Sequence, residues 1–234
     1  WLWHVDETIK KCARTYSNQI SLMQQYPEHR FVQSSSCHSD MVRKYYPDLF
    51  EKIKEKVAEG GYEPNGAVWV ECDCNITSGE SMIRQFLWGQ RFTDKYFSYR
   101  SDVFWLPDTF GYSASIPQIM KGCGVDYFLT TKINWNDTNA FPYNTFWWQG
   151  IDGTKVFSHF NTSHSWPDVK EIRECLTDGD RYKDQPTVTD KRLMAYGYGD
   201  GGGGPQFEMI ETARRCEDLC EVRAVSGLPH AVLD

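Results

Sequence analysis

Apolar positions recur at helical spacing in the first stretch, Asp6 to Tyr26, where Ile9, Ala13, Tyr16, Ile20 and Met23 predict one amphipathic helix that Pro27 ends. Arg30 to Ser35 reads as a short strand. Tyr46 to Glu59 carries a second stripe, Leu49, Phe50, Ile53 and Val57, and Gly60-Gly61 stops it. Ala67 to Glu71 (AVWVE) has the look of a buried strand. Ser78 to Tyr96 predicts a third helix, with Glu80 suited to its first turn. Val103 to Leu106 is a strand running into PDTFGYS. Ala114 to Lys121 is helical, closed by Gly122 and Gly124. Further strands fall at Asp126 to Thr130, Phe146 to Trp148, Lys155 to Phe160 and Leu193 to Gly197, the middle two joined by a turn at Ile151-Asp152-Gly153. Residues 163 to 190 are polar and irregular, and Gln206 to Glu221 reads as a last helix.

Strands alternating with helices predict an α/β fold on a parallel sheet, open or barrel-like. Chemistry in such folds gathers at the carboxyl ends of strands. Polar residues follow that rule here: Glu71 and Asp73 after AVWVE, Asp108 after VFWL, Lys132 after YFLT, His159 closing KVFSH, and Asp200 after LMAYGYG. A structural cap would also sit after a strand, so their convergence on one rim is the informative feature.

Asp108 stands in W-L-P-D-T-F-G-Y-S, among Trp105, Leu106 and Phe110. A carboxylate shielded in this way can attack a carbon centre or bind a metal. It could equally cap the following helix. Asp200 stands in Y-G-Y-G-D-G-G-G-G-P, where consecutive glycines fit a backbone that bends sharply or approaches a ligand. A surface turn with an incidental acid is the plainer alternative. The run lacks the spacing of a phosphate-binding loop. Two acids at separate strand ends fit the two-carboxylate scheme of glycoside hydrolysis. Glu71, Asp73 and Asn75 would share a face if the segment alternates, suited to sugar hydroxyls. The competing reading is a capping box around Ser78. Of six histidines none forms an HxH or HxxxH pair. Only His159, at a strand end, is a candidate for the site.

Composition sharpens this picture. Aromatic residues make up 15 % of the chain, with nine Trp, enough to give both a core and flat apolar walls against sugar rings. The formal charge of −7 and the lack of a basic run exclude a nucleic-acid partner. No 18-residue apolar stretch predicts a membrane span. Eight cysteines, without paired CxxC spacing, read as reduced thiols of a cytoplasmic protein, with a disulfide or a metal site as the alternative.

At WLPDTFGYSASIPQIM the chain resembles glycoside hydrolase family 38, the α-mannosidases, and is more similar to the cytosolic and bacterial branch than to the Golgi or lysosomal one. The similarity extends over WLWHVDETIKKCARTYSNQISLM, EPNGAVWVECDCNITSGESMIRQFLWGQRF, DYFLTTKINWNDTNAFPYNTFWWQGIDGTKVFSHF and YGYGDGGGGP, most of the chain. It implies a seven-stranded β/α barrel of the glycoside hydrolase and deacetylase superfamily, cut at both ends, with residues 1–234 forming part of the N-terminal catalytic domain. It also implies bound Zn²⁺ and retaining cleavage of α-mannoside oligosaccharides. Asp108 matches the nucleophile, which is also a zinc ligand. Trp1 matches a tryptophan that packs on the mannose ring, and Phe110 an aromatic of the same pocket. Asp200 lies where the family places its general acid, although Gly201 stands where Golgi relatives have a second acid. Lys132 falls near a basic position of the substrate site. The family's H-x-D metal motif would lie before Trp1 and a further histidine in a later domain, so this segment alone is expected to bind zinc poorly and to be inactive. The resemblance leaves room for a homo-oligomer of the full-length protein. A zinc-dependent polysaccharide deacetylase and an inactive carbohydrate-binding remnant are the alternatives.

Overall fold

The computed structural model describes residues 3–139, 141–164, 167, 191–218 and 223–233. Helix α1 (Val5–Gln25) is followed by strand β1 (Phe31–Val32), α2 (Ser36–Tyr45), α3 (Pro47–Ala58), β2 (Tyr62–Glu63) and α4 (Gly79–Phe97). Then come β3 (Val103–Leu106), α5 (Ile116–Gly122), β4 (Tyr127–Thr130), β5 (Thr145–Gln149), β6 (Lys155–Phe160), β7 (Thr162–His164), β8 (Met194–Tyr196), α6 (Phe207–Arg215) and α7 (His230–Leu233). The fold is α/β. Its main sheet runs β3-β4-β6-β5, with β3, β4 and β6 parallel and β5 an antiparallel edge. Two parallel pairs, β1-β2 and β7-β8, stand beside it.

The pleat sorts the core into two faces. Phe104 and Leu106 of β3 and Phe128 of β4 pack with Met82 and Phe86 of α4 and Ile116 and Met120 of α5. Val103 and Leu129 point the other way, where Leu233 of α7 and Trp105 cover them. A separate cluster, with Tyr16, Ile20, Val42, Phe50, Ile53 and Phe92, welds α1, α2, α3 and α4 together. A sheet covered on both faces leaves its strand ends as the places where polar groups meet water.

The expected strand at 67–71 is not one of the named strands. Val68 makes a single bridge to Ser35, because Ala67 takes φ +59° and takes the chain out of the extended region at its first residue. Helix α2 was not foreseen. Its buried positions are Ser36, Ser39, Asp40 and Val42, so it has almost no apolar stripe to read. The N-terminus of α4 follows the capping reading: Ser78 Oγ accepts the Ser81 N–H at 3.3 Å. No helix among the described residues is long and apolar enough to cross a membrane. The irregular segment expected over 163–190, apart from its first residues and Pro167, lies outside the described residues, as do Cys175 and Cys220.

Candidate active site

Strand β3 ends at Leu106, and the next six residues form a loop anchored to both neighbouring segments. The Thr130 hydroxyl at the end of β4 donates to the Leu106 carbonyl at 2.8 Å. Tyr112 Oη donates to the Thr109 carbonyl at 2.6 Å and pairs with the Thr130 hydroxyl. On the other side the Asn75 amide donates to the Phe110 carbonyl at 3.1 Å, and Cys74 bridges to Tyr112. Gly111, at φ +97°, supplies the backbone turn that lets the loop close against Asn75.

This loop presents Asp108, whose Oδ1 lies 3.2 Å from Lys132 Nζ. The two residues come from the carboxyl ends of adjacent parallel strands, as the strand-end rule predicts. Lys132 is held on its other side by rings: its ammonium is 3.6 Å from the Trp135 centroid and 5.5 Å from that of Phe110. Phe110 and Trp135 meet edge to face at 6.0 Å. The lysine side chain is 16 % exposed and the Asp108 side chain 39 %, so the pair is shielded from below and open above. Glu71 joins the group from the segment beside it. Its carboxyl accepts the Ser34 hydroxyl and the Asp108 backbone N–H. Burial pushes its pKa above the ordinary carboxylate value, and the Asp108 charge adds to the shift. An ion-paired carboxylate beside a buried, hydrogen-bonded one, under two aromatic walls, can attack an electrophilic carbon and bind hydroxyls around it.

Asp200 stands in a 3₁₀ turn, Gly199–Gly201, after β8, with its side chain exposed. Its loop is fixed by backbone rather than by side chains. Arg14 and Thr15 of α1 donate to the Gly202 carbonyl at 2.8 and 3.3 Å, and Gln19 donates to the Pro205 carbonyl at 2.9 Å. Trp3 lies flush on Gly202, which takes φ +64°; a Cβ there would fall into the indole. Close packing thus explains Gly202, against Trp3, and Gly204, against Gln19 of α1, whereas an added Cβ at Gly201 or Gly203 would meet only Tyr198 at ordinary contact distance. Behind Gln19, His29 Nε2 is 2.9 Å from its Oε1, so with Gln19 donating to Pro205 the His29 proton sits on Nε2. Burial lowers the His29 pKa to about 4.

The remaining predicted residues are placed differently. Asp73 is exposed, and its Oδ1 accepts the backbone N–H groups of Asn75 and Ile76, both at 2.8 Å, which lower its pKa. Cys72 and Cys74, on either side of Asp73 in the chain, are buried. His159 is 1 % exposed inside the sheet, its Nδ1 2.9 Å from Thr145 Oγ1 and its pKa lowered to about 4 by burial and by the Arg192 charge. Its contacts are with these groups rather than with Asp108. Trp1 lies outside the described residues. Trp135 was missed, although an aromatic three residues after a strand-end lysine is a readable signal. The anchors Arg14, Thr15 and Gln19 carried no local signal.

Among the described residues no group of three His, Cys, Asp or Glu side chains gathers in the manner of a metal centre. Asp108 faces an ammonium and one further carboxyl. That donor set does not fit Zn²⁺ by itself. At the opposite, amino end of the sheet a cleft of about 570 Å³ is bordered by Glu63, Tyr99, Arg100, Asp102, Cys123 and His230. Its acids are paired within the fold: Tyr99 donates to Glu63 at 3.0 Å, and His230 lies 2.8 Å from Asp102.

The fold and this rim define an α/β domain with acids on separate strand ends. Residues 1–231 match the glycosyl hydrolases family 38 N-terminal domain, and the chain belongs to that family. It is 46 % identical over 222 residues to alpha-mannosidase G of Dictyostelium discoideum, covering 95 % of this chain and 20 % of that protein. It is 41 % identical over 233 residues to alpha-mannosidase 2C1 of Homo sapiens, covering 100 % and 22 %. The chain therefore spans about a fifth of the length of these relatives. The crystal structure of an alpha-mannosidase from Enterococcus faecalis V583 superimposes with a TM-score of 0.78 at 20 % identity, covering 100 % of this chain and 27 % of that one.

Proposed function

We propose that the chain is the catalytic segment of a retaining α-mannosidase that removes α-linked mannose from oligosaccharides in the cytoplasm. The observation that carries this is the Asp108–Lys132 pair, set beside Glu71 at adjacent strand ends of a family 38 domain. The described sheets are on this reading an arc of a seven-stranded β/α barrel. Asp108 attacks the anomeric carbon, and the bond to the glycosidic oxygen breaks as Asp200 gives that oxygen its proton. A mannosyl ester on Asp108 results. Asp200, now ionised, takes a proton from water, whose oxygen attacks the same carbon and releases Asp108. Two inversions return the α-anomer.

Lys132 orients the attacking carboxylate and hydrogen-bonds a sugar hydroxyl. Phe110 and Trp1 face the ring, and Glu71 and Asp73 bind hydroxyls. His159, buried against Thr145, is left out of the substrate contacts. The resemblance implies Zn²⁺, for which Asp108 is the ligand this segment offers. Metal supply is tested by chelation.

The test is hydrolysis of an aryl α-mannoside by the full-length protein, followed by NMR. The first-formed sugar is expected to be the α-anomer, with activity falling on addition of a chelator. First-formed β-mannose would exclude the covalent route. A folded, metal-loaded protein silent on α-mannosides would exclude the substrate.

A further inference from the structure

We propose that Trp135 is a positioning residue: it holds Lys132, and through Lys132 it aims the Asp108 carboxylate. The assignment rests on the reading that Asp108 attacks an α-mannoside. Lys132 opens the 3₁₀ turn Lys132–Asn134 just after β4, and the Trp135 backbone N–H closes that turn on the Lys132 carbonyl at 3.0 Å. A 3₁₀ turn eclipses side chains three residues apart, so Trp135 is set directly beside Lys132. The Lys132 ammonium lies 3.6 Å from the indole centroid and 3.2 Å from Asp108 Oδ1. Phe110, two residues beyond Asp108 on the same loop, flanks the ammonium at 5.5 Å and meets the indole edge to face.

The ion pair alone gives little reason for Lys132 to stay in one place. A lysine side chain gives up much rotamer freedom when it is held, and its partner Asp108 is 39 % exposed, where water weakens the attraction. Lys132 is nevertheless only 16 % exposed. The indole supplies the missing restraint, because the face of its π-system attracts a cation and covers one side of it. Trp135 is itself 69 % exposed, so its ring is placed for the lysine rather than for a core. Removing the indole frees the ammonium to turn into water, and Asp108 then loses the contact that fixes its Oδ1.

The test is a double-variant cycle in the full-length protein, on an aryl α-mannoside with a poor leaving group, for which attack by Asp108 limits turnover. Trp135→Ala is expected to lower kcat/KM about tenfold, chiefly through kcat, because substrate still binds while the carboxylate is no longer aimed. Trp135→Phe, which keeps a π face, should recover most of the loss; Trp135→Leu, apolar without one, should not. In a Lys132→Met background Trp135→Ala is expected to add nothing, since the residue it acts through is gone. Thermal unfolding midpoints close to wild type report that the variants are folded. Losses that multiply in the double variant, a rise in KM at unchanged kcat, rescue by Leu as complete as by Phe, or no loss in Trp135→Ala would overturn the assignment. A wild-type protein that cleaves no α-mannoside would instead remove the hydrolase reading, and this assignment with it.

Discussion

The two acids of the proposed mechanism are held in opposite ways. Asp108 is fixed through its side chain: a carboxylate paired with Lys132, which is itself gripped by Trp135 and Phe110. Asp200 is fixed through its backbone: an exposed carboxyl on a loop whose carbonyls are bound by α1 and whose Gly202 lies under Trp3. The difference suits their work. A nucleophile must stay charged and aimed at one atom, so its environment is built around the charge. A group that gives and retakes a proton must face solvent and substrate in turn, so it is steadied from behind.

The strongest way to break the contrast is to disturb the backbone clamp. Gly202→Ala forces a Cβ into Trp3 at a φ that L-residues disfavour. Displacing the acid by about 1 Å is expected to lower kcat on the order of a hundredfold. Adding Trp3→Ala should recover part of the loss; an unchanged kcat in the single variant would mean that the clamp does not position Asp200. The counterpart on the other loop is Lys132→Met. Loss of the charge-assisted contact to Asp108 is expected to lower kcat/KM by about 10- to 100-fold, measured by steady-state hydrolysis of an aryl α-mannoside. An equal activity would show that the ion pair is incidental.

The clamp also carries a pH dependence. His29 ionises at about 4 in the fold against 6.5 when solvated, because burial disfavours its cation. The unfolded state therefore binds the proton first as pH falls, and stability present above about pH 6.5 is lost progressively down to about pH 4. By pH 5 the loss amounts to about 2 kcal/mol, and it acts on the residue behind Gln19 and the Pro205 carbonyl. Urea unfolding at pH 7 and pH 5 should show a smaller difference in His29→Gln than in the wild type; an identical slope would place the sensitivity elsewhere. The smallest effect concerns Asp73. Asp73→Ala removes the acceptor for two exposed backbone N–H groups and is expected to lower the thermal unfolding midpoint slightly, whereas Asp73→Asn keeps an acceptor oxygen and changes less.

Much of the Asp108 side was legible in the sequence, because strands and the residues just after them form a local pattern. VFWL followed by PD, and YFLT followed by TK, locate the two members of the ion pair. Helices α1, α3 and α4 were legible for the same reason: each buries one apolar stripe. The Asp200 side was not. Its clamp joins residues more than 180 positions apart through polar side chains on α1, and no periodicity announces such contacts. Helix α2 was hidden because serines and an aspartate fill its buried face. The 67–71 segment misled because AVWVE has the composition of a buried strand, while the positive φ at Ala67 is a property of its surroundings.

The division of labour between the two loops is tested most directly by comparing Asp108→Asn and Asp200→Asn in the full-length protein on two aryl α-mannosides, one with a poor and one with a very good leaving group. Asp200→Asn is expected to lose about 10²- to 10⁴-fold on the poor leaving group and to retain bond cleavage on the good one, which needs no proton. Asp108→Asn is expected to be inactive on both. An Asp108→Asn variant that cleaves the activated substrate at the wild-type rate would contradict the account.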